Sequence, residues 1–145
     1  MRLLVQRVTR AAVRVNHELV GEIAAGYLVL LGVAATDTRK EADFLVDKLL
    51  HLRVLADDAG KMNKSVVDKN GQILVVSQFT LYGDTSNGRR PGFGAAAPPD
   101  LARELYEYFV QKIRASGLLT ATGTFQAHME VELVNDGPVT FLLES

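Results

Sequence analysis

Three short segments of this 145-residue chain gather polar groups or backbone constraints that could do chemistry. The first is Ser77-Gln78-Phe79-Thr80-Leu81, at the end of a β-branched run. Ser77, Gln78 and Thr80 are hard to bury together without partners. They are either a strand end satisfying its own polar groups on entering a loop, or a set of hydroxyls and N–H groups that positions an ester carbonyl and its developing oxyanion. The second is Asn135-Asp136-Gly137-Pro138-Val139-Thr140. Its composition is that of a β-turn between two strands. A Gly-Pro bond can also be cis, and carbonyls held at fixed angles would suit steric selection better than proton transfer. The third, Gly88-Arg89-Arg90-Pro91, is either a solvated basic loop or a contact to an RNA backbone, since a guanidinium matches phosphate geometry in bidentate fashion.

Other chemistries find little support. The chain has no cysteine, which removes disulfides, thiolate metal sites and a cysteine nucleophile. His17, His51 and His128 are widely spaced, with no second ligand nearby in sequence, so no metal site is expected. No G-x-S-x-G elbow and no P-loop is present, and Ser77 is followed by Gln78. Nothing favours a Ser-His-Asp triad, and no cofactor motif is found. Lys61, Lys64 and Lys69 read as a solvated loop. The net charge of −1 matters more. Proteins gripping long stretches of nucleic acid usually carry a basic excess, so any RNA contact should be local, at the end of the molecule. No apolar run approaches the roughly 20 residues that span a bilayer. Arg2, Arg7 and Arg10 interrupt the N-terminus, which reads as a strand rather than a signal sequence, and a reducing cytosol is the default compartment.

The elements that must position these segments follow from periodicity. Residues 2–9 and 11–16 show the alternation of half-buried strands, with a turn at His17-Glu18. YLVLLGVA after Gly26 reads as a central buried strand. Thr38 and Glu41 form a capping box for a helix over 38–52, with Ala42, Leu45, Leu49 and Leu52 on its buried side. Asp57 to Gly71 is polar and ends in an Asn-Gly turn, and ILVVSQFTL is a second buried strand. Residues 83–97 form a glycine-rich loop long enough to suggest function. Pro98-Pro99-Asp100 opens a second helix with a Leu101, Leu105, Phe109, Ile113 stripe, stopped by Gly117. TGTFQ, HMEVELVND and VTFLLE read as closing strands. The order predicts a single α+β domain over 1–145, with a mainly antiparallel sheet or partly closed β-barrel and two helices.

QRV at 6–8, LVLLGV at 28–33, GKMN at 60–63, VVSQFTL at 75–81, GRRP at 88–91 and LVNDGPVT at 133–140 resemble the D-aminoacyl-tRNA deacylase family along essentially the whole chain. The resemblance implies hydrolysis of the ester of D-aminoacyl-tRNA, and of mischarged glycyl-tRNA, in the cytoplasm by a homodimer that needs only the acceptor end of the tRNA. It implies that Ser77, Gln78 and Thr80 surround the reacting ester, with Phe79, Asn135 and Thr140 at the substrate. Gly137 and Pro138, joined by a cis bond, would enter the partner subunit's pocket and exclude L side chains, and Arg7 would brace them. Ser86-Asn87 and Pro91-Gly92 depart from the pattern of many relatives, which have a lysine before the glycine and a serine after the proline. Two rivals remain open: an L-selective editing module like the N-terminal domain of archaeal threonyl-tRNA synthetases, and a non-catalytic nucleic-acid-binding module.

Overall fold

A computed structural model describes every residue from Met1 to Ser145. The first strand, β1 (Arg2–Val15), pairs antiparallel with three others. One edge takes β3 (Gly26–Gly32) along residues 2–8 and then β2 (Glu18–Ile23) along residues 11–15, while the other edge takes β8 (Glu130–Glu144). β3 continues the sheet in parallel to β6 (Gln72–Ser77), and β6 in parallel to β7 (Thr120–Thr122). The sheet is therefore mixed: every pairing of β1 is antiparallel, and the two on the far side are parallel. β2 and β7 then approach so closely that a Cβ on Gly21 would lie 2.4 Å from the Thr122 carbonyl oxygen, and the sheet nearly closes into a barrel.

The strand boundaries expected near residue 10 need correction. The chain does not break into strands at 2–9 and 11–16; it runs on as one strand whose register against β8 shifts at Val8. Leu3 and Val5 face the helices, whereas Ala11 and Val13 face the barrel interior with Val8. An irregularity reverses the parity of inward positions without ending the strand, and the sequence pattern looks like two strands. The following turn is centred on Asn16 and His17, both at positive φ (50° and 66°), as a two-residue hairpin requires. Glu18 already belongs to β2.

β3 and β6 are buried on both faces. Tyr27, Val29, Leu31, Ile73 and Val75 meet the helices, while Leu28, Leu74 and Val76 fill the barrel. The capping box starts α1 (Arg39–His51): the Thr38 hydroxyl accepts the Lys40 N–H at 3.2 Å, and Glu41 accepts the Thr38 N–H at 2.7 Å. α2 (Pro99–Ala115) begins with proline in its first turn and buries Leu105, Phe109 and Ile113 beside Leu45 and Leu49 of α1. The buried Tyr106 hydroxyl donates to the Val75 carbonyl at 2.9 Å, tying α2 to β6; burial pushes its pKa up to about 12, so it remains a donor at neutral pH.

Three further expectations need correction. The polar stretch 57–71 contains part of a small hairpin, β4 (Leu55–Ala56) with β5 (Met62–Lys64). β7 covers 120–122 rather than 122–126, because Gly123 and Gln126, the latter at φ 64°, turn the chain away. Residues 128–136 and 139–144 are not separate strands around a turn; β8 is continuous from 130 to 144, and the four residues 136–139 bulge opposite Arg7 alone.

Candidate active site

Ser77 ends β6, opposite Leu31 of β3, and the Gln78 N–H still reaches the Leu31 carbonyl at 2.7 Å. The strand expected to run through Leu81 stops there. Phe79–Tyr82 instead form a 3-10 turn closed by the Leu81 N–H on the Gln78 carbonyl and the Gly83 N–H on the Thr80 carbonyl, 3.2 and 2.9 Å. The N–H groups of Phe79 and Thr80 precede the first bond of that turn and have no partner within it. Gln78 Nε2 donates to Thr80 Oγ1. Ser77 and Gln78 are half-buried, and Phe79 and Thr80 are exposed.

This strand end is the floor of a cavity of about 630 Å³. Ser77, Gln78 and Phe79 line it, together with Phe93, Ala96 and Ala97 of the 83–97 loop, Pro99 and Ala102 of α2, and residues 125–129 ahead of β8. The lining is mostly apolar, with the polar groups gathered at the Ser77–Gln78 end and at Gln126 and His128. A volume of this order suits a small molecule or one terminal residue of a larger one. Phe79 and Phe93 pack with ring centroids 4.9 Å apart, which ties the loop to the mouth.

The second motif lies elsewhere. None of residues 135–140 lines the cavity. Arg7 and Asp136 instead border a separate cleft of about 580 Å³. The Gly137–Pro138 bond is cis. Arg7, largely buried, donates from Nε to the Asp136 carbonyl at 2.9 Å and from Nη1 to the Val54 carbonyl at 2.8 Å, and its Nε lies 3.4 Å from the Asp136 carboxylate. Asn135 closes the bulge from inside: its Oδ1 accepts the Val139 N–H at 2.7 Å, and its Nδ2 donates to Thr140 Oγ1 at 2.8 Å. Gly137 has φ +143°, and an added Cβ would meet Val139 Cγ2 at 2.6 Å and Val139 N at 2.8 Å. The bulge is held rigid by its own neighbours, with Gly137 and Pro138 facing solvent.

Within one chain, then, the structure gathers Ser77, Gln78 and Phe79 at a cavity, with Thr80 one residue beyond. It gathers Arg7, Asn135, Gly137, Pro138 and Thr140 at another place. Sequence reasoning missed Phe93, Phe125, His128 and Met129 as cavity residues. Their only signal was the alternation expected of any strand, or glycine-rich loop composition. The three histidines lie apart, in the β1–β2 turn, at the end of α1 and in the cavity wall.

The family model described as D-Tyr-tRNA(Tyr) deacylase matches residues 4–144. A relative from Desulforudis audaxviator, named D-aminoacyl-tRNA deacylase, is 57% identical over 145 residues, covering 100% of this chain and 97% of the relative. One of the same name from Koribacter versatilis is 59% identical, with the same coverage. Among solved structures, one titled c-Myc DNA Unwinding Element Binding Protein superposes with a TM-score of 0.94 at 45% identity, covering 100% of this chain and 99% of that one. Another, titled as a "probable eukaryotic D-amino acid tRNA deacylase", shares the fold with a TM-score of 0.88 at 18% identity, covering 99% and 98%. No helix is long and apolar enough to cross a membrane.

Proposed function

The chain belongs to the D-Tyr-tRNA(Tyr) deacylase family and has its hydrolase activity on D-aminoacyl-tRNA, and from that premise we propose that it works in the cytoplasm as a homodimer whose two motifs meet across the subunit interface. The observation that carries this reading is their separation in one chain: SQFT lies at a cavity, and the rigid Gly137-Pro138 bulge is exposed outside it. β8 supports it too. That strand pairs only with β1, leaving a fifteen-residue edge, and Val134, Phe141 and Leu142 on it are exposed. Long apolar edges are normally covered.

In this arrangement the aminoacyl group and terminal adenosine occupy the cavity. The backbone N–H groups of Phe79 and Thr80, with the Ser77 and Thr80 hydroxyls, position the ester carbonyl and stabilise the oxyanion. Gln78 orients Thr80 through its amide. Water attacks the carbonyl carbon and the C–O bond to the terminal ribose breaks. The amino acid leaves with the water oxygen, and the ribose oxygen takes a proton. The neighbouring ribose 2′-hydroxyl assists, since the Thr80 hydroxyl has an amide donor rather than a base beside it. The partner's Gly137 and Pro138 present carbonyl oxygens that crowd an L side chain. A D side chain points elsewhere, and glycine has none, so both are admitted. Arg7, Asn135 and Thr140 hold that bulge in shape.

The test is release of D-tyrosine from D-Tyr-tRNA with L-Tyr-tRNA as control. Rapid cleavage of the D ester alone is expected; equal cleavage of both, or of neither, would sink the reading.

A further inference from the structure

The loop 83–97 leaves and rejoins the fold at the cavity mouth. Asp84 and Gly92 exchange both backbone hydrogen bonds, at 2.7 and 2.9 Å, which closes the base of a tip formed by residues 85–91. Next to that base, Phe93 packs on Phe79. The return leg is fixed to the end of β3 by the Ala97 N–H on the Val33 carbonyl at 2.9 Å. Arg90 is three residues from Phe93, so their Cα atoms are within about 10 Å of each other. The tip is therefore tethered beside Phe93, a residue of the cavity wall.

Arg89 and Arg90 are both exposed, and neither takes part in any ion pair of the chain. Arg2, Arg7, Arg10 and Arg39 each have a carboxylate, whereas Arg14, Arg53 and Arg114 have none but lie away from the cavity lining. The one acidic group at the base of the tip, Asp84, already accepts the Ser86 N–H at 2.9 Å. On α2, next to the cavity residue Ala102, Arg103 lies over the Phe125 ring, 4.6 Å from its centroid, and donates to the Gln126 amide at 3.2 Å, again without an acidic partner. In a chain with 16 basic and 17 acidic side chains, Arg89, Arg90 and Arg103 put three guanidinium groups without a carboxylate partner on the loop and helix that border the cavity.

We propose that Arg89 and Arg90 are a phosphate grip for the acceptor strand of the tRNA, holding the backbone that leads into the aminoacylated terminal nucleotide. This rests on the deacylase reading: an aminoacyl group at the Ser77–Phe79 floor brings that backbone out past the mouth. Guanidinium forks suit phosphate oxygens, and contacts to the backbone position the substrate without reading its sequence.

The test measures dissociation constants for uncharged tRNA against salt, together with turnover of the D-tyrosyl ester of adenosine, which lacks phosphate. The proteins are wild type, R89A/R90A and R89K/R90K. Each phosphate contact to a single strand contributes about 0.7 to the salt slope. Wild-type binding should therefore weaken about 7-fold more than that of the double alanine variant between about 50 and 200 mM salt. The lysine variant should keep the slope, and all three proteins should cleave the adenosine ester equally. An unchanged slope in the double alanine variant would overturn the grip, as would loss of ester turnover in parallel with tRNA binding. A wild-type protein that shows the slope but cleaves neither the ester nor D-Tyr-tRNA would instead overturn the deacylase reading and leave the grip standing.

Discussion

Thr80 is the residue at which a covalent nucleophile would first be sought, yet its hydroxyl oxygen accepts a hydrogen bond from Gln78. An amide donor draws on the lone pairs a nucleophile needs, so the group is oriented rather than activated. T80A should lower turnover about 10–100-fold, as misplacement of a substrate does, and not by the roughly 10⁶-fold that follows loss of a covalent nucleophile. An acyl-enzyme trapped on Thr80 would contradict this. At Gly137 the expectation is different. A Cβ there would press on Val139 at a φ that L residues rarely adopt, so G137A should shift the bulge. Cleavage of L-Tyr-tRNA should rise while cleavage of D-Tyr-tRNA changes less, read as a fall in the ratio of the two kcat/KM values. Ser77, Gln78 and Phe79 stand out in the sequence because polar groups close an apolar run, and the fold places these three at the cavity. Phe93, Phe125 and Met129 do not stand out, because an apolar cavity wall and an apolar core look alike until the chain is folded.

Legibility at the level of elements followed local chemistry. Both helices could be read because caps, prolines and 3.6-residue spacing act within a few residues of one another. The Asn135–Thr140 segment carries turn residues, and its composition alone points to a turn. Its conformation is a four-residue bulge inside one strand because β1 pairs on both sides of it and Arg7 fills the space opposite, which are long-range facts. The α1 cap gives a direct test. T38A removes the N-cap acceptor and should cost about 1 kcal/mol, lowering Tm by a few degrees. The cap should also be pH-sensitive. The Glu41 carboxylate is held below its ordinary pKa chiefly by the side-chain hydrogen bond from Thr38. Its contribution is therefore complete above the unfolded value of about 4.3 and is lost as pH falls through the lower folded value. The stability difference between wild type and T38A should shrink in acid, which thermal melts at neutral pH and near pH 3 would show. A difference independent of pH would mean that Glu41 plays no part in the cap.

For the whole molecule, the question is whether cavity and bulge act in the same subunit or between two. A closed pairing of identical chains would use each exposed bulge once and complete two cavities. Ala102 lines the cavity from α2, so A102W should block it while leaving the bulge intact. Alone, A102W should be inactive and G137A poorly selective. If the chain pairs as proposed, most G137A chains refolded with excess A102W acquire an A102W partner. If the bulge acts across the interface, each remaining open cavity then faces an undisturbed Gly137-Pro138 pair. The ratio of D-Tyr-tRNA to L-Tyr-tRNA cleavage should climb toward the wild-type value, although the added protein has no activity of its own. If each bulge served its own chain, the ratio would stay where G137A alone sets it, whatever the excess. Only an arrangement in trans lets an inactive subunit correct the stereochemical error of an active one.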